Sequence, residues 1–201
     1  MTTFLLIRHA TCDHVGRHLA GRAPGVSLNE VGRAEARALA DRTRGVPIEA
    51  VYTSPLERAR ETAEALCDGR AVAPAIAPEL VEIDFGDWTG RSFAELESDP
   101  RWKLFNSARS STRIPGGELA HEAQSRIVSW LERARHEHAG PIAVVSHADV
   151  IRLTVAHYLG VPIDFLPRFV IAPASVSVLE LQDWGPCIRG LNLTGTPLRL
   201  S

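Results

Sequence analysis

Cysteine and long apolar runs are scarce in this sequence of 201 residues. The three cysteines lie far apart and form no CxxC pair, so neither a disulfide framework nor a zinc site is predicted. The apolar run near the N-terminus is four residues long, with no basic segment before it, which argues against a signal peptide and a membrane span. We therefore expect a cytoplasmic protein with no membrane partner.

The number of lysines and the net charge of the chain are also small. Lys103 is the single lysine among 22 basic residues, for which codon bias is the simplest reason, and the formal net charge is −2. A chain with so little net charge has no overall basic field to attract nucleic acid, so any anion site must be local. A phosphate held by a charged side chain would be held by arginine, whose planar guanidinium grips oxygens as a fork.

The length and composition fit one domain over residues 1–201. The chain is 45% hydrophobic and 23% charged, close to an average globular protein. At this length a sizeable core forms without metal or disulfide staples. The sequence contains no internal repeat, low-complexity segment or convincing linker.

Continuous apolar runs alternate with helical patterns along the chain. Strands are predicted at 3–9, 48–54, 72–78 and 141–146, followed by an antiparallel pair at 175–181 and 188–193. Helices are predicted at 27–42, 54–69, 117–137 and 146–160, with two shorter helices within 92–108 that Pro100 separates. Strands that alternate with helices indicate an α/β fold with a mainly parallel sheet flanked by helices.

Two helix starts carry capping signals. Ser54 is predicted to be an N-cap, with Glu57 completing a capping box. The earlier helix can be capped by Ser27 with Glu30, or by Asn29 alone. Its apolar stripe is predicted at Val31, Ala34, Ala38 and Leu39.

Three apolar strands end in polar residues, in the stretches "LLIRHA", "AVYTSPLERA" and "AVVSHADVIR". In an open α/β sheet, ligands bind outside the carboxyl ends of the strands. If these strands are neighbours, Arg8, His9, Arg58 and His147 converge on one spot, close to the N-termini of two helices. Any one of these residues alone would be assigned a structural or surface role, but together they predict an anion site that suits a phosphoryl group.

The stretches "LLIRHAT", "TSPLERARETAEAL", "ELVEIDFGDWTG", "IPGGE" and "VVSHADVIR" occur in this order over residues 3–155. They resemble the successive motifs of the histidine phosphatase superfamily, the group related to cofactor-dependent phosphoglycerate mutase and the α-ribazole phosphatases. The resemblance implies a three-layer α/β/α fold of the phosphoglycerate mutase type. It also implies hydrolysis of phosphomonoesters without a metal or other cofactor.

The resemblance assigns the site residues their roles. His9 is implied to be the nucleophile that takes up the phosphoryl group, and Glu82 the acid that protonates the leaving oxygen. The phosphoryl oxygens are implied to be bound by Arg8, Arg58 and His147. Spacing alone leaves the acid open, since Glu79, Asp84 and Asp87 lie in the same loop.

The physical chemistry of such a site agrees with these roles. Neighbouring cations would lower the pKa of His9 and keep its imidazole neutral and nucleophilic. The same cations would stabilise the charge that spreads over the phosphoryl oxygens in the transition state. Glu82 needs a raised pKa to hold a proton, and the apolar neighbours Val81, Ile83 and Phe85 could provide it by desolvation.

The loop after the nucleophile departs from the family pattern. Ala10 stands where the family usually has glycine, and His14 is a candidate for the missing polar contact to phosphate or else an exposed loop residue. Ala20 and Gly21, in "LAGR", resemble the loop that closes on the substrate and are candidates for backbone contacts. We also hypothesise that oxidation of Cys12, close to the predicted site, hinders activity.

The segment at 91–116 bears on the reaction and on the substrate. Mutases of the family carry a longer, basic insertion there, so this shorter segment favours a phosphatase. The alternative is a cofactor-dependent phosphoglycerate mutase. A third hypothesis is a non-catalytic protein that binds a phosphate ligand. The expected partner is a small phosphorylated metabolite, and a homodimer stays open. Candidates for leaving-group contacts, each also explained by packing or exposure, are Trp102, Phe105, Arg109 and Arg113.

Overall fold

The computed structural model describes residues 1–195 and 197–200, and six of their segments form one sheet. The strands are β1 (Thr2–Arg8), β2 (Ala50–Thr53), β3 (Pro74–Ile76), β4 (Ile142–Ser146), β5 (Val176–Gln182) and β6 (Gly185–Leu193). Their order across the sheet is β3-β2-β4-β1-β5-β6. The strands β3, β2, β4 and β1 run parallel, whereas β5 pairs antiparallel with β1 and β6 antiparallel with β5. The mainly parallel sheet predicted from the sequence is confirmed.

Helices cover both faces of this sheet. They are α1 (Glu30–Thr43), α2 (Glu57–Cys67), α3 (Phe93–Glu97), α4 (Pro100–Ser107), α5 (Ala120–Ala134) and α6 (Ala148–Leu159). Side chains of β1 alternate between the faces, with Leu5 and Ile7 packed in the core under α1 and α2, and Phe4 and Leu6 in the core under α5 and α6. The fold is therefore the predicted three-layer α/β/α arrangement.

A third apolar cluster lies beside the sheet and supports the loop that follows β3. Trp88 is fully buried there, edge-on to Trp102 and tilted against Phe105 of α4. The two short helices α3 and α4 meet near Pro100, as the sequence predicts. This cluster gives the loop at 82–88 a rigid base next to the carboxyl ends of the strands.

The predicted apolar stripe of α1 is wrong at three positions, since Val31, Ala34 and Ala38 are exposed. The buried face of α1 instead contains Gly32, Ala36, Leu39 and Thr43. Asn29 caps the helix by accepting the Gly32 N–H at 2.9 Å. A Cβ atom at Gly32 would lie 1.9 Å from the Thr11 carbonyl oxygen, so the close approach of that loop determines which face turns inward.

The predicted capping box at the start of α2 is also wrong. The helix begins at Glu57, and Leu56, which has no capping side chain, is its N-cap. The Ser54 hydroxyl lies 2.8 Å from Nε2 of His147. A contact with a residue far along the chain has therefore replaced the local one.

Among the described residues, no helix has the length and apolar character needed to cross a membrane.

Candidate active site

The carboxyl ends of β1, β2 and β4 lie side by side because these strands are parallel and in register. Arg8 pairs with Ser146 across β1 and β4, and Thr53 pairs with Val145 across β2 and β4. Arg8 is therefore the last residue of β1 at this edge, with His9 next, while His147 follows β4 as the N-cap of α6. The first turn of α2 adds Arg58. The structure thus brings together the four residues that the strand ends predicted.

His9 is held as a neutral imidazole with one nitrogen free of a proton. Its Nδ1 lies 2.8 Å from the Ala10 carbonyl, which can only accept, so Nδ1 carries the proton. Nε2 is then the basic nitrogen, and Arg58 Nε donates to it over 3.3 Å. Burial lowers the pKa of His9 well below its ordinary value, and the charges of Arg58 and Arg8 lower it further.

His147 is fixed from both sides of its ring. Arg58 Nη2 donates to His147 Nδ1 at 3.3 Å, so His147 Nε2 carries the proton and donates to Ser54 Oγ at 2.8 Å. The centroids of the His9 and His147 rings are 5.2 Å apart. Burial, followed by the charge of Arg58, lowers the pKa of His147 well below its ordinary value. Two neutral histidines therefore share one buried guanidinium.

The two arginines retain donors that the surrounding protein does not satisfy. Arg58 is 1% exposed, and its Nη2 also donates to the Gly21 carbonyl at 2.7 Å. Arg8 Nη1 donates to the Ile171 carbonyl at 2.7 Å. Within the described residues, Arg58 Nη1 and Arg8 Nε are buried without an acceptor. Buried donors of this kind favour an anion that accepts several hydrogen bonds, such as a phosphoryl group.

Glu82 lies in the loop that enters the site after β3. One of its carboxyl oxygens accepts the N–H of Ile83 at 2.9 Å. Burial raises the pKa of Glu82 to about 7, and the nearby Asp149 charge contributes to the increase. The carboxyl group therefore carries a proton for part of the time at neutral pH, as a proton donor requires.

The other carboxylates of this loop have different partners. Asp84 pairs with Arg22 at 3.3 Å and Glu79 pairs with Arg133 at 2.9 Å, while Asp87 is exposed. Glu82, in contrast, lines a cavity of about 240 Å³ together with Arg8, His9 and Arg58. The structure thus separates Glu82 from the three carboxylates that spacing alone could not exclude.

The remaining predicted residues of the loop after β1 also line this cavity. His14, Ala20 and Gly21 are on its wall, and the His14 ring lies 5.6 Å from that of His18. The carbonyl of Gly21 accepts Arg58, so one backbone contact of this loop is made to the protein itself. Cys12 lines the cavity as a buried thiol.

The candidates for leaving-group contacts divide into two groups. Trp102 and Arg109 line the cavity, whereas Phe105 is fully buried with the Arg109 guanidinium 4.8 Å from its ring centroid. Arg113 is exposed and paired with Glu122 at 2.6 Å, outside the cavity wall. Phe105 and Arg113 are therefore wrong as candidates for leaving-group contacts.

Several functional neighbours were missed from the sequence. Thr62 accepts the Ala10 N–H at 3.0 Å and donates to the Arg58 carbonyl at 2.7 Å. Asp149 accepts from Arg152 Nη1 at 3.0 Å. Helical spacing was the available signal, since Thr62 lies one turn after Arg58, and Asp149 and Arg152 are three residues apart in α6.

The described residues provide no metal site. Across residues 1–195 and 197–200, no cluster of three or more histidine, cysteine, aspartate or glutamate side chains is placed to hold a metal.

A neutral histidine beside buried arginines at the carboxyl ends of parallel strands is suited to binding and transferring a phosphoryl group. The model of the histidine phosphatase superfamily (branch 1) matches residues 4–194, and the chain belongs to this superfamily. The family predicted from the motifs is thus confirmed.

Relatives and solved structures agree with this assignment. The chain is 30% identical to adenosylcobalamin/alpha-ribazole phosphatase of Salmonella typhimurium, covering 93% of this chain and 94% of that protein. It is 28% identical to phosphoserine phosphatase 1 of Hydrogenobacter thermophilus, covering 96% and 93%. The structure of Bacillus stearothermophilus YhfR superposes with a TM-score of 0.91 at 28% identity, covering 97% and 98%. The chain also spans 54%, about half, of the length of mycobacterial relatives to which it is 34% identical. The prediction of a phosphatase is confirmed.

Proposed function

We propose that this phosphatase hydrolyses small phosphomonoesters in two steps through a phosphohistidine on His9. The observation that carries the proposal is the state of His9, which is buried and neutral, with its basic Nε2 3.3 Å from Arg58 Nε. A neutral imidazole next to unsatisfied cationic donors is suited to attack a phosphorus atom whose oxygens those donors hold.

In the first step, His9 Nε2 forms a bond to phosphorus while the bond from phosphorus to the alcohol oxygen breaks. Arg8 and Arg58 hold the phosphoryl oxygens and balance the charge that spreads over them. Glu82 gives its proton to the departing oxygen, which leaves as the neutral alcohol. The site then contains phosphorylated His9 and the Glu82 carboxylate.

In the second step, water attacks the phosphohistidine. The Glu82 carboxylate removes a proton from the water as its oxygen bonds to phosphorus, and the bond to His9 Nε2 breaks. Inorganic phosphate leaves, and both residues return to their starting protonation states. Glu82 thus serves as acid and then as base, for which a pKa of about 7 is suitable.

His147 has a binding role in this proposal. Ser54 and Arg58 hold its ring beside His9. To bind a phosphoryl oxygen, His147 Nδ1 must release Arg58 and carry the proton, while the Ser54 hydroxyl donates to Nε2 instead. We assign His14, Ala20 and Gly21 to the loop that surrounds the phosphoryl group, because all three line the cavity.

The setting of the reaction is proposed from the same features. Residues 1–201 are expected to form a single domain that acts in the cytoplasm on a small phosphorylated metabolite. Neither nucleic acid nor a membrane is expected to be a partner, since the net charge of −2 provides no basic surface field. A homodimer is compatible with the proposal.

A phosphatase assay with an aryl phosphate tests the proposal directly. We expect turnover that EDTA leaves unchanged and that His9→Ala abolishes, while His136→Ala, which removes an exposed histidine, keeps wild-type turnover. Rapid quenching should trap an acid-labile phosphate on the wild type and none on His9→Ala. Turnover without a trapped intermediate on residue 9, or inhibition by EDTA, would contradict the mechanism.

The same protein preparation distinguishes the alternatives. A phosphoglycerate mutase would interconvert phosphoglycerates when supplied with 2,3-bisphosphoglycerate and 3-phosphoglycerate, with little release of phosphate. A non-catalytic binding protein would turn over neither these compounds nor the aryl phosphate. We expect net release of phosphate, because only the short helices α3 and α4 with their connecting loops occupy the segment at 91–116.

A further inference from the structure

We propose that the cavity has a second anion subsite, formed by Arg109 with Arg152 and Asp149, that binds a carboxylate on the leaving alcohol. This subsite deepens the proposed function, on which it rests, by naming the substrate class as small phosphomonoesters of hydroxy acids. All three residues line the same cavity as His9.

Arg109 is buried and held in place, yet its hydrogen bonds are incomplete. It is 7% exposed, and its Nη2 donates to Asn106 at 2.6 Å. Its Nη1 reaches Asp149 only at 3.4 Å, and its guanidinium lies over the Phe105 ring. Among the described residues its buried Nε has no acceptor. A buried guanidinium with weak or absent partners favours an additional acceptor in the cavity.

The charges around Asp149 do not balance. A single oxygen of Asp149 accepts from Arg109 at 3.4 Å and from Arg152 at 3.0 Å, so two cations share one carboxylate. Excess positive charge that is shielded from water is unfavourable unless a counter-ion neutralises it. The phosphoryl group is already matched by Arg8 and Arg58, which leaves one unit of positive charge on this side of the cavity when Glu82, which lines the same cavity, is protonated for the first step.

The size of that excess indicates the kind of anion. One surplus positive charge matches a carboxylate, which carries a single negative charge, better than a second phosphoryl group, which carries nearly two. The planar fork of Arg109 also suits the two oxygens of a carboxylate. The cavity of about 240 Å³ is below the range of roughly 300–1,000 Å³ usual for drug-sized ligands, which favours a small alcohol part.

A matched pair of substrates tests the subsite. We compare kcat/KM for 3-phosphoglycerate and glycerol 3-phosphate, which differ by a carboxylate in place of a hydroxymethyl group, by following phosphate release. Wild type should prefer 3-phosphoglycerate about 10-fold or more, since hydrogen bonds to charged groups are strong. Arg109→Gln should lower this preference about 10-fold. Arg113→Gln, an exposed arginine outside the cavity wall, should keep it.

A second variant covers the case in which removing a buried charge prevents folding. Arg109→Lys keeps the charge but loses the fork, and it should lower the preference about 3-fold or more. Equal use of the two substrates by wild type, or an unchanged preference in Arg109→Lys, would overturn the subsite. Aryl phosphate hydrolysis separates this failure from failure of the proposed function, since its loss in wild type would contradict the function itself.

Discussion

At the scale of single residues, burial moves two pKa values in opposite directions. Burial disfavours a charge on any side chain, so it lowers the pKa of His9 and raises that of Glu82 to about 7. Arg58 strengthens the first shift and Asp149 the second. The result is a neutral nucleophile beside an acid that carries its proton for part of the time at neutral pH, which is the pair that the proposed first step needs.

The pH dependence of turnover follows from Glu82. For an alkyl phosphate, kcat/KM should decline as pH rises through about 7, because the proton that Glu82 donates is then lost. Glu82→Gln should lack this decline and lower kcat/KM for alkyl phosphates about 100-fold or more. An aryl phosphate, whose leaving group needs less protonation, should be affected less. An alkaline decline that persists in Glu82→Gln would assign it to another group.

Stability should depend on the same carboxyl group. The pKa of Glu82 is higher in the folded chain than the ordinary 4.5, so its contribution to stability is present below about pH 4.5 and is lost as pH rises through about 7. Glutamine stays neutral throughout. Glu82→Gln should therefore gain about 2 to 3 kcal/mol in free energy of unfolding relative to wild type between pH 5 and pH 8. Urea unfolding at both pH values measures this, and a constant difference would contradict the raised pKa.

At the scale of elements, Thr62 joins the loop after β1 to helix α2. Its hydroxyl accepts the buried Ala10 N–H and donates to the Arg58 carbonyl, so it ties the residue after His9 to the turn that carries Arg58. The Thr62 hydroxyl therefore helps to fix the relative position of nucleophile and arginine, in addition to the direct contact of Arg58 with His9.

Replacing that hydroxyl should damage both stability and turnover. Thr62→Val leaves the Ala10 N–H buried without an acceptor and should cost about 1 to 3 kcal/mol in urea unfolding. Thr154→Val is the matched control, since Thr154 is also buried but only donates to the Val150 carbonyl one turn earlier in its own helix. It should cost less and leave aryl phosphate turnover near wild type. Equal costs for the two variants would contradict a bridging role.

The loop that carries Glu82 is held by a second element, the turn at 114–117. A Cβ atom at Gly86 would lie 2.2 Å from the Pro115 carbonyl oxygen, so the two backbones touch. The backbone of Glu82 is also gripped from outside this loop, because its carbonyl accepts from Arg22 Nε at 2.8 Å and from Arg126 Nη2 at 3.1 Å. Glu118 lies between these arginines, 3.0 Å from each, and completes the support.

Alanine variants of two glycines in this region distinguish the effect of backbone strain from the effect of a backbone contact. Gly86 has φ +46° and Gly90 has φ +83°, but only Gly86 touches a neighbouring backbone. Gly90→Ala should lose about 1 kcal/mol from strain alone. Gly86→Ala should lose more and also lower turnover, because the loop must move and Glu82 with it. Thermal unfolding and aryl phosphate assays check this, and similar turnover in both variants would show that the contact does not position the acid.

At the scale of the whole molecule, the chain carries net negative charge around a cationic site. Arg8 and Arg58 have buried donors that an anion would satisfy, so an anion should bind the folded state and not the unfolded chain. Inorganic phosphate at 100 times its Kd should therefore increase the free energy of unfolding by about 2.7 kcal/mol. This stabilisation should be seen as a higher Tm.

The control for this prediction is the site itself. Arg58→Met should lose most of the phosphate-dependent increase in Tm, whereas Arg113→Gln should keep it. Chloride at equal ionic strength should leave Tm nearly unchanged. A phosphate effect of the same size in Arg58→Met would indicate a general salt effect instead of binding.

The strands of this fold were more predictable from the sequence than the start of α2 and the inner face of α1. Continuous apolar runs such as residues 4–7 and 142–145 identified buried parallel strands, because a strand covered on both faces has no polar positions to alternate. The start of α2 and the inner face of α1 were not predictable. They depend on contacts of Ser54 with His147 and of Gly32 with Thr11, which residues distant in sequence supply.

Local sequence patterns by themselves determined that this protein alternates strands and helices, and that arginine and histidine follow three of the strands. Hydrophobic periodicity is a property of neighbouring residues, so it can be read along the chain. Only the tertiary structure decided that Arg58 lies between His9 and His147, and that Glu82 lines the cavity while Asp84 pairs with Arg22. Those outcomes depend on packing and electrostatic contacts between segments far apart in the chain, which no local pattern encodes.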